Sequence, residues 1–199
     1  MSEILRIFVS ATNDLDADRA IVGQVIAQLP VKIAVEIRRT PAAGASYEEI
    51  FELIANCDRV YFMLGGDITA PAGAEWFTAW KLERSVYALR HAKRLTPAAQ
   101  EFVRSSFVEW TTFRSHAELA RLVGLDLVRI LNHATNRYGL TTAELGLLNY
   151  YGRRLRARKP AAEVDPNRPE IEPGGAEGGG VLLDELQRDA AAELFADGA

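Results

Sequence analysis

The sequence holds a single cysteine, Cys57, so no internal disulfide can form. Between a predicted helix and a predicted strand, it reads as a buried, inert thiol. No apolar run approaches the roughly 20 residues of a membrane span, and no charged segment followed by an apolar stretch opens the chain. The expectation is a cytoplasmic protein with no membrane partner. Positive charge is also short: 23 Lys and Arg stand against 27 Asp and Glu, for a net charge of −4. That balance argues against nucleic acid as a partner. Phosphate-binding loops of the Walker A and G-x-G-x-x-G kinds are missing. The histidines His91, His116 and His133 have no metal-ligand spacing, so no metal site is expected.

What is present starts at Ile4 to Val9, a nearly unbroken apolar run rich in β-branched residues. Such a run suits a strand buried on both faces of a parallel sheet. It ends in Ser10, Ala11, Thr12 and Asn13, and a helical pattern from Asn13 to Leu29 follows. A strand, a turn and a helix in that order open an α/β fold, whose ligands gather beyond the carboxyl ends of the strands. Val31 to Ile37 alternates apolar with polar residues and predicts a half-exposed strand near a sheet edge. The loop Arg38 to Ala45 contains Pro41 and Gly44. Ser46 with Glu49 has the spacing of a capping box before a short helix. Val60 to Leu64 is a second buried strand, broken by Gly65-Gly66.

From Glu75 to Ala92 the apolar spacing predicts one long helix. No convincing strand follows it, because Lys93 to Thr96 is a poor candidate. Thr96-Pro97 predicts the start of a helix running to about Arg104, and Phe107 to Thr111 the last strand. Ser115 with Glu118, and Thr141 with Glu144, mark two further helix starts. The pattern predicts a flavodoxin-like α/β fold, an open parallel sheet of four to five strands with helices on both faces.

The organisation expected is an α/β domain over 1–138 and an additional helix over 139–159. A Pro/Gly linker over 160–180 and an amphipathic helix over 181–199 follow. The stripe Leu182, Leu183, Leu186, Ala190 and Leu194 predicts docking on this domain, on a second copy or on another protein.

Several residues could carry chemistry. On a helical wheel through 75–92, Glu83 shares an arc with Trp76, Trp80 and Tyr87 and falls on the border between the apolar stripe and the two tryptophans. A carboxylate so placed can act as acid, base or electrostatic stabiliser. Its plainer reading is a boundary glutamate paired with Arg84 or Arg90. Glu75 is either a first-turn carboxylate favoured by the helix dipole or a second carboxylate at the same cleft. Ser10, Thr12 and Asn13 either bind a phosphate or ribose or cap the helix. The basic run Arg153 to Lys159 reads as a solvated helix end.

Phe8-Val9-Ser10-Ala11-Thr12-Asn13-Asp14-Leu15-Asp16-Ala17-Asp18-Arg19 resembles the F-[IV]-S-S-T-x-x-D-L-x-x-E-R opening of a bacterial branch of Toll/interleukin-1-receptor-like (TIR-like) domains. It departs at Ala11 and Asp18, where serine and glutamate are usual. Asn56 to Gly65 is similar to a later segment of the family, Glu83 resembles its third-helix glutamate, and Phe113 to Leu131 resembles its closing piece. The resemblance spans about residues 4 to 133.

It implies a TIR-like flavodoxin fold in a signalling or conflict system that acts through protein–protein contacts. The Arg38–Ala45 loop and the 181–196 helix would make those contacts, by self-association or with a partner. The resemblance also implies an alternative, an NAD or nucleotide glycohydrolase. Glu83 would then be the catalytic carboxylate, with Glu75 near it. Trp76, Trp80 or Tyr47 would stack on a base. No cofactor is required in either case, and NAD enters as a substrate.

Overall fold

A computed structural model describes residues 2–157; the predicted linker and the 181–199 helix lie outside them. Five parallel strands form one open sheet in the order β2-β1-β3-β4-β5. They are β1 (Leu5–Ala11), β2 (Val35–Arg38), β3 (Arg59–Leu64), β4 (Val86–His91) and β5 (Thr111–Phe113). The helices are α1 (Arg19–Ala27), α2 (Tyr47–Ala55), α3 (Ala70–Lys81), α4 (Pro97–Ser105), α5 (His116–Leu131) and α6 (Thr142–Ala157). This is the doubly wound flavodoxin-like arrangement, in which the strand order reverses between β1 and β3.

The two continuous apolar runs became the two central strands. Every residue of β3 is buried, as is nearly all of β1. The alternating run shrank to Val35–Arg38 and lies at the sheet edge, as its half-polar pattern predicts. Leu5, Ile7, Val9 and Ala11 face a core shared with α1 and α5. On the other face Phe8 packs with Ile50, Ile54 and Ala79. Beside it, Phe62, Ala72, Trp76 and Ala88 meet Phe102 and Trp110.

A bidentate ion pair crosses the first core. Arg59 on β3 donates from Nε and Nη2 to the Asp126 carboxylate on α5, at 2.8 and 2.6 Å. Both side chains are buried.

The long helix over 75–92 is corrected. α3 begins earlier, at Ala70, and stops at Lys81, and Val86–His91 is the fourth strand. The stop is a Schellman motif. Glu83 sits at φ 52°, the Glu83 N–H donates to the Trp80 carbonyl and the Arg84 N–H to the Ala79 carbonyl. Glycine ordinarily fills that left-handed position. With glutamate there, the stop carries no signal, and the apolar spacing reads on through it. The strand that the sequence lacked after residue 92 lay inside the helical assignment.

Smaller shifts have local causes. Asn13–Asp18 is a 3₁₀ turn kinked at Leu15, so the first α-helix begins only at Arg19. The last strand is Thr111–Phe113 rather than 107–111. Ser46 with Glu49 forms a full capping box, as does Thr141 with Glu144. Ser115 forms half of one, because the Glu118 side chain accepts from the Arg114 N–H instead. No helix among the described residues is long and apolar enough to cross a membrane.

Candidate functional site

The carboxyl ends of the strands gather residues from four connections. Ser10 lies at the end of β1 and Thr12 directly follows the strand. Thr40 comes from the β2–α2 loop, Gly65 and Gly66 from the β3–α3 loop, and Lys93 follows β4. Glu75 reaches the same edge from the second turn of α3.

Glu75 is the centre of the arrangement. It is 1% exposed. The Ser10 hydroxyl donates to one carboxylate oxygen and the Thr40 hydroxyl to the other. Burial pushes its pKa up. The Ser10 and Thr40 hydrogen bonds and the positive charge of Arg19 pull it back, and the net result lies above the ordinary carboxylate value. Arg19 itself donates from Nη2 to the Ala11 carbonyl at 2.7 Å and pairs from Nη1 with Asp16 at 3.0 Å. Its Nε is buried with no protein acceptor, and so is the hydroxyl of Thr69 at the N-cap of α3.

Thr12 and Asp14 do something else. The Thr12 hydroxyl donates to Asp14 at 2.7 Å and accepts from the Gly65 N–H at 2.8 Å. Asp14 also accepts from the Gly66 N–H at 2.9 Å, and Lys93 stands 3.5 Å away. Burial opposes the Asp14 charge, but the Gly66 N–H, Thr12 and Lys93 outweigh it and hold the pKa below its usual value. The β1 turn is thereby stitched to the β3–α3 loop. The two N–H groups that a bound anion would need are already held by Thr12 and Asp14. A Cβ on Gly65 would lie 2.1 Å from the Asp14 carboxylate, so this contact demands glycine. Thr12 is the N-cap of the 3₁₀ turn by position, but its side chain caps no N–H there. Asn13 is exposed.

The proposed partners of Glu83 are not assembled. Glu83 is exposed in the α3–β4 turn, at the amino end of β4 and therefore at the opposite edge of the sheet from Ser10. Neither expected arginine binds it: Arg84 donates to the Leu82 and Ala55 carbonyls, and Arg90 donates to Thr112. Trp76 is buried, stacked on Trp110 at 5.5 Å and edge-on to Phe62 at 4.8 Å, so it is core rather than a stacking platform. Trp80 is 63% exposed and leans on Phe77. Tyr47 lies on the surface beside Phe51. Of the residues singled out in the sequence, the structure joins Ser10 to Glu75 and leaves Glu83, Trp80 and Tyr47 apart from them.

Thr40 and Arg19 were not singled out as site residues. No local signal marks Thr40, because its role depends on the loop folding back over α3. Among the described residues no cluster of His, Cys, Asp and Glu could hold a metal ion. Cys57 is buried, and burial pushes its thiol up to about 11, consistent with an inert side chain.

No family model matches the chain, and no curated protein matches it. Among solved structures it is similar to the flavodiiron protein from Giardia intestinalis. The two are 8% identical with a TM-score of 0.39, and the match covers 76% of this chain and 37% of that one. The chain thus spans little more than a third of that protein's length.

Proposed function

We propose that the chain is a TIR-like signalling and assembly module of a bacterial conflict system whose strand-end carboxylate, Glu75, breaks the N-glycosidic bond of NAD or a related nucleotide. The observation that carries this reading is the buried Glu75 carboxylate, bonded by Ser10 and Thr40 at the carboxyl edge of the sheet. Carboxylates with raised pKa values at such edges are site candidates. Glu75 therefore takes the role that the family resemblance assigned to Glu83.

The bond between ribose C1′ and the nicotinamide nitrogen breaks, and its electron pair leaves with neutral nicotinamide. The positive charge passes to the ribosyl ring as an oxocarbenium-like centre, which an ionised carboxylate stabilises. Water adds at C1′ and loses a proton, giving ADP-ribose, nicotinamide and a proton. Ser10 holds one Glu75 oxygen in place. Thr40 covers the other, so the Arg38–Ala45 loop must withdraw for substrate to reach it. Protein contacts through that exposed loop would supply the movement.

A second reading, assembly without chemistry, is favoured by one observation: both Glu75 oxygens are bonded and the residue is 1% exposed. Nicotinamide release from NAD separates the two. It is measured for wild type, Glu75→Gln, Ser10→Ala and Glu83→Gln, in dilute and in concentrated solution. Turnover that falls about 100-fold or more in Glu75→Gln and is unchanged in Glu83→Gln supports the catalytic reading. Absence of wild-type turnover in both states leaves the assembly role alone.

A further inference from the structure

Around the carboxyl end of α2 lies a feature that the strand-end site does not use. A cavity of about 450 Å³ lies beside the carboxyl end of α2, lined by Arg6, Arg38, Ala55, Asn56, Asp58 and Arg84 together with the buried Cys57. Three guanidiniums thus line one cavity in a chain whose net charge is −4.

We propose that this cavity binds a small phosphate-bearing anion. The charges decide the class of ligand. Asp58 is already matched, because its carboxylate accepts from Arg137 at 2.7 Å and from the Arg6 backbone N–H at 2.8 Å. Glu36 stands at the rim and pairs with both Arg6 and Arg38. Arg137 is itself shared with Glu3, so the guanidiniums of Arg6, Arg38, Arg84 and Arg137 face the carboxylates of Glu36, Asp58 and Glu3, leaving one positive charge in excess. That excess favours an anion, and a phosphate group is one near neutral pH.

The guanidiniums are also held in place. Arg38 donates from Nη1 to the Leu53 carbonyl at 3.4 Å, and Arg84 from Nη1 to the Ala55 carbonyl at 3.0 Å. Both bonds cap the carboxyl end of α2, where cations are favoured. That alone would explain one or two arginines. It leaves Nη2 of Arg38 and of Arg84, and both Nη atoms of Arg6, without an acceptor among the described residues. Pre-positioned donors of this kind suit the fork geometry of phosphate. The volume exceeds that of a bare phosphate and falls in the range of small-molecule sites. None of the cavity residues touches Glu75, although Arg38 lies two residues before Thr40 in the loop that covers it.

The test is isothermal titration calorimetry of the full chain with pyrophosphate, ADP and citrate at low salt. ADP and pyrophosphate should bind, and more weakly as salt rises. Arg6→Gln and Arg84→Gln should each weaken binding roughly tenfold. Glu36→Gln should tighten it, because the competing carboxylate is gone, and this exposed change leaves the core untouched. Tighter ADP than pyrophosphate identifies a nucleotide; equal affinities identify bare phosphate groups as sufficient. No heat from either at about 10 mM overturns the proposal. So do affinities that none of the three substitutions moves, or citrate binding as tightly as pyrophosphate.

Discussion

The hydroxyl of Ser10 donates to the carboxylate of Glu75 across 65 residues of sequence, joining the end of β1 to the second turn of α3. The bond sits where the strand order reverses, the position at which doubly wound sheets place their chemistry. It holds the Glu75 carboxylate at the carboxyl edge of the sheet, whereas Glu83 lies in the α3–β4 turn at the amino edge.

The raised pKa of Glu75 sets a pH dependence. Its folded pKa lies above the unfolded value, so the stabilisation from its proton is complete below the unfolded value and is lost as pH rises through the folded one. Glu75→Gln carries no charge to desolvate. Its melting temperature should gain on wild type as pH rises from 4 to about 8. Parallel melting curves at every pH would show that Glu75 is not buried as described.

Glu83→Gly should stabilise the fold by about 1 kcal/mol, because glycine takes the left-handed position at the end of α3 without strain. Urea unfolding measures it. A loss of stability would mean that α3 does not end in this motif.

Gly65→Ala drives a Cβ into the Asp14 carboxylate. It should cost about 1–3 kcal/mol. Adding Asp14→Ala should return part of that cost, so a double-mutant cycle should show a coupling well above zero.

Breaking the buried pair by Asp126→Ala strands the Arg59 charge in the core and should cost about 3–5 kcal/mol. Replacing both residues, as in Arg59→Met with Asp126→Leu, should recover most of it. Thermal unfolding of the single and double variants checks both statements.

The amino-acid order by itself determined much of the frame. The unbroken apolar runs at 4–9 and 60–64 specify central parallel strands, since only a strand covered on both faces tolerates such a run. The alternating run at 31–37 specifies an edge. Ser46, Thr96 and Thr141 announce helix starts, because capping is a contact among neighbours in sequence. Polar small residues after the first strand mark its carboxyl end.

Tertiary structure alone decided the rest. Glu83 occupies a backbone conformation that its side chain does not advertise, so the end of α3 and the whole of β4 were hidden behind one glutamate. That turn also leaves Glu75 at the carboxyl edge of the sheet and Glu83 at the amino edge. Ser10 kept its place after the first strand. Its partner could not be read from spacing, because the bond to Glu75 exists only once β1, the Thr40 loop and α3 are packed together.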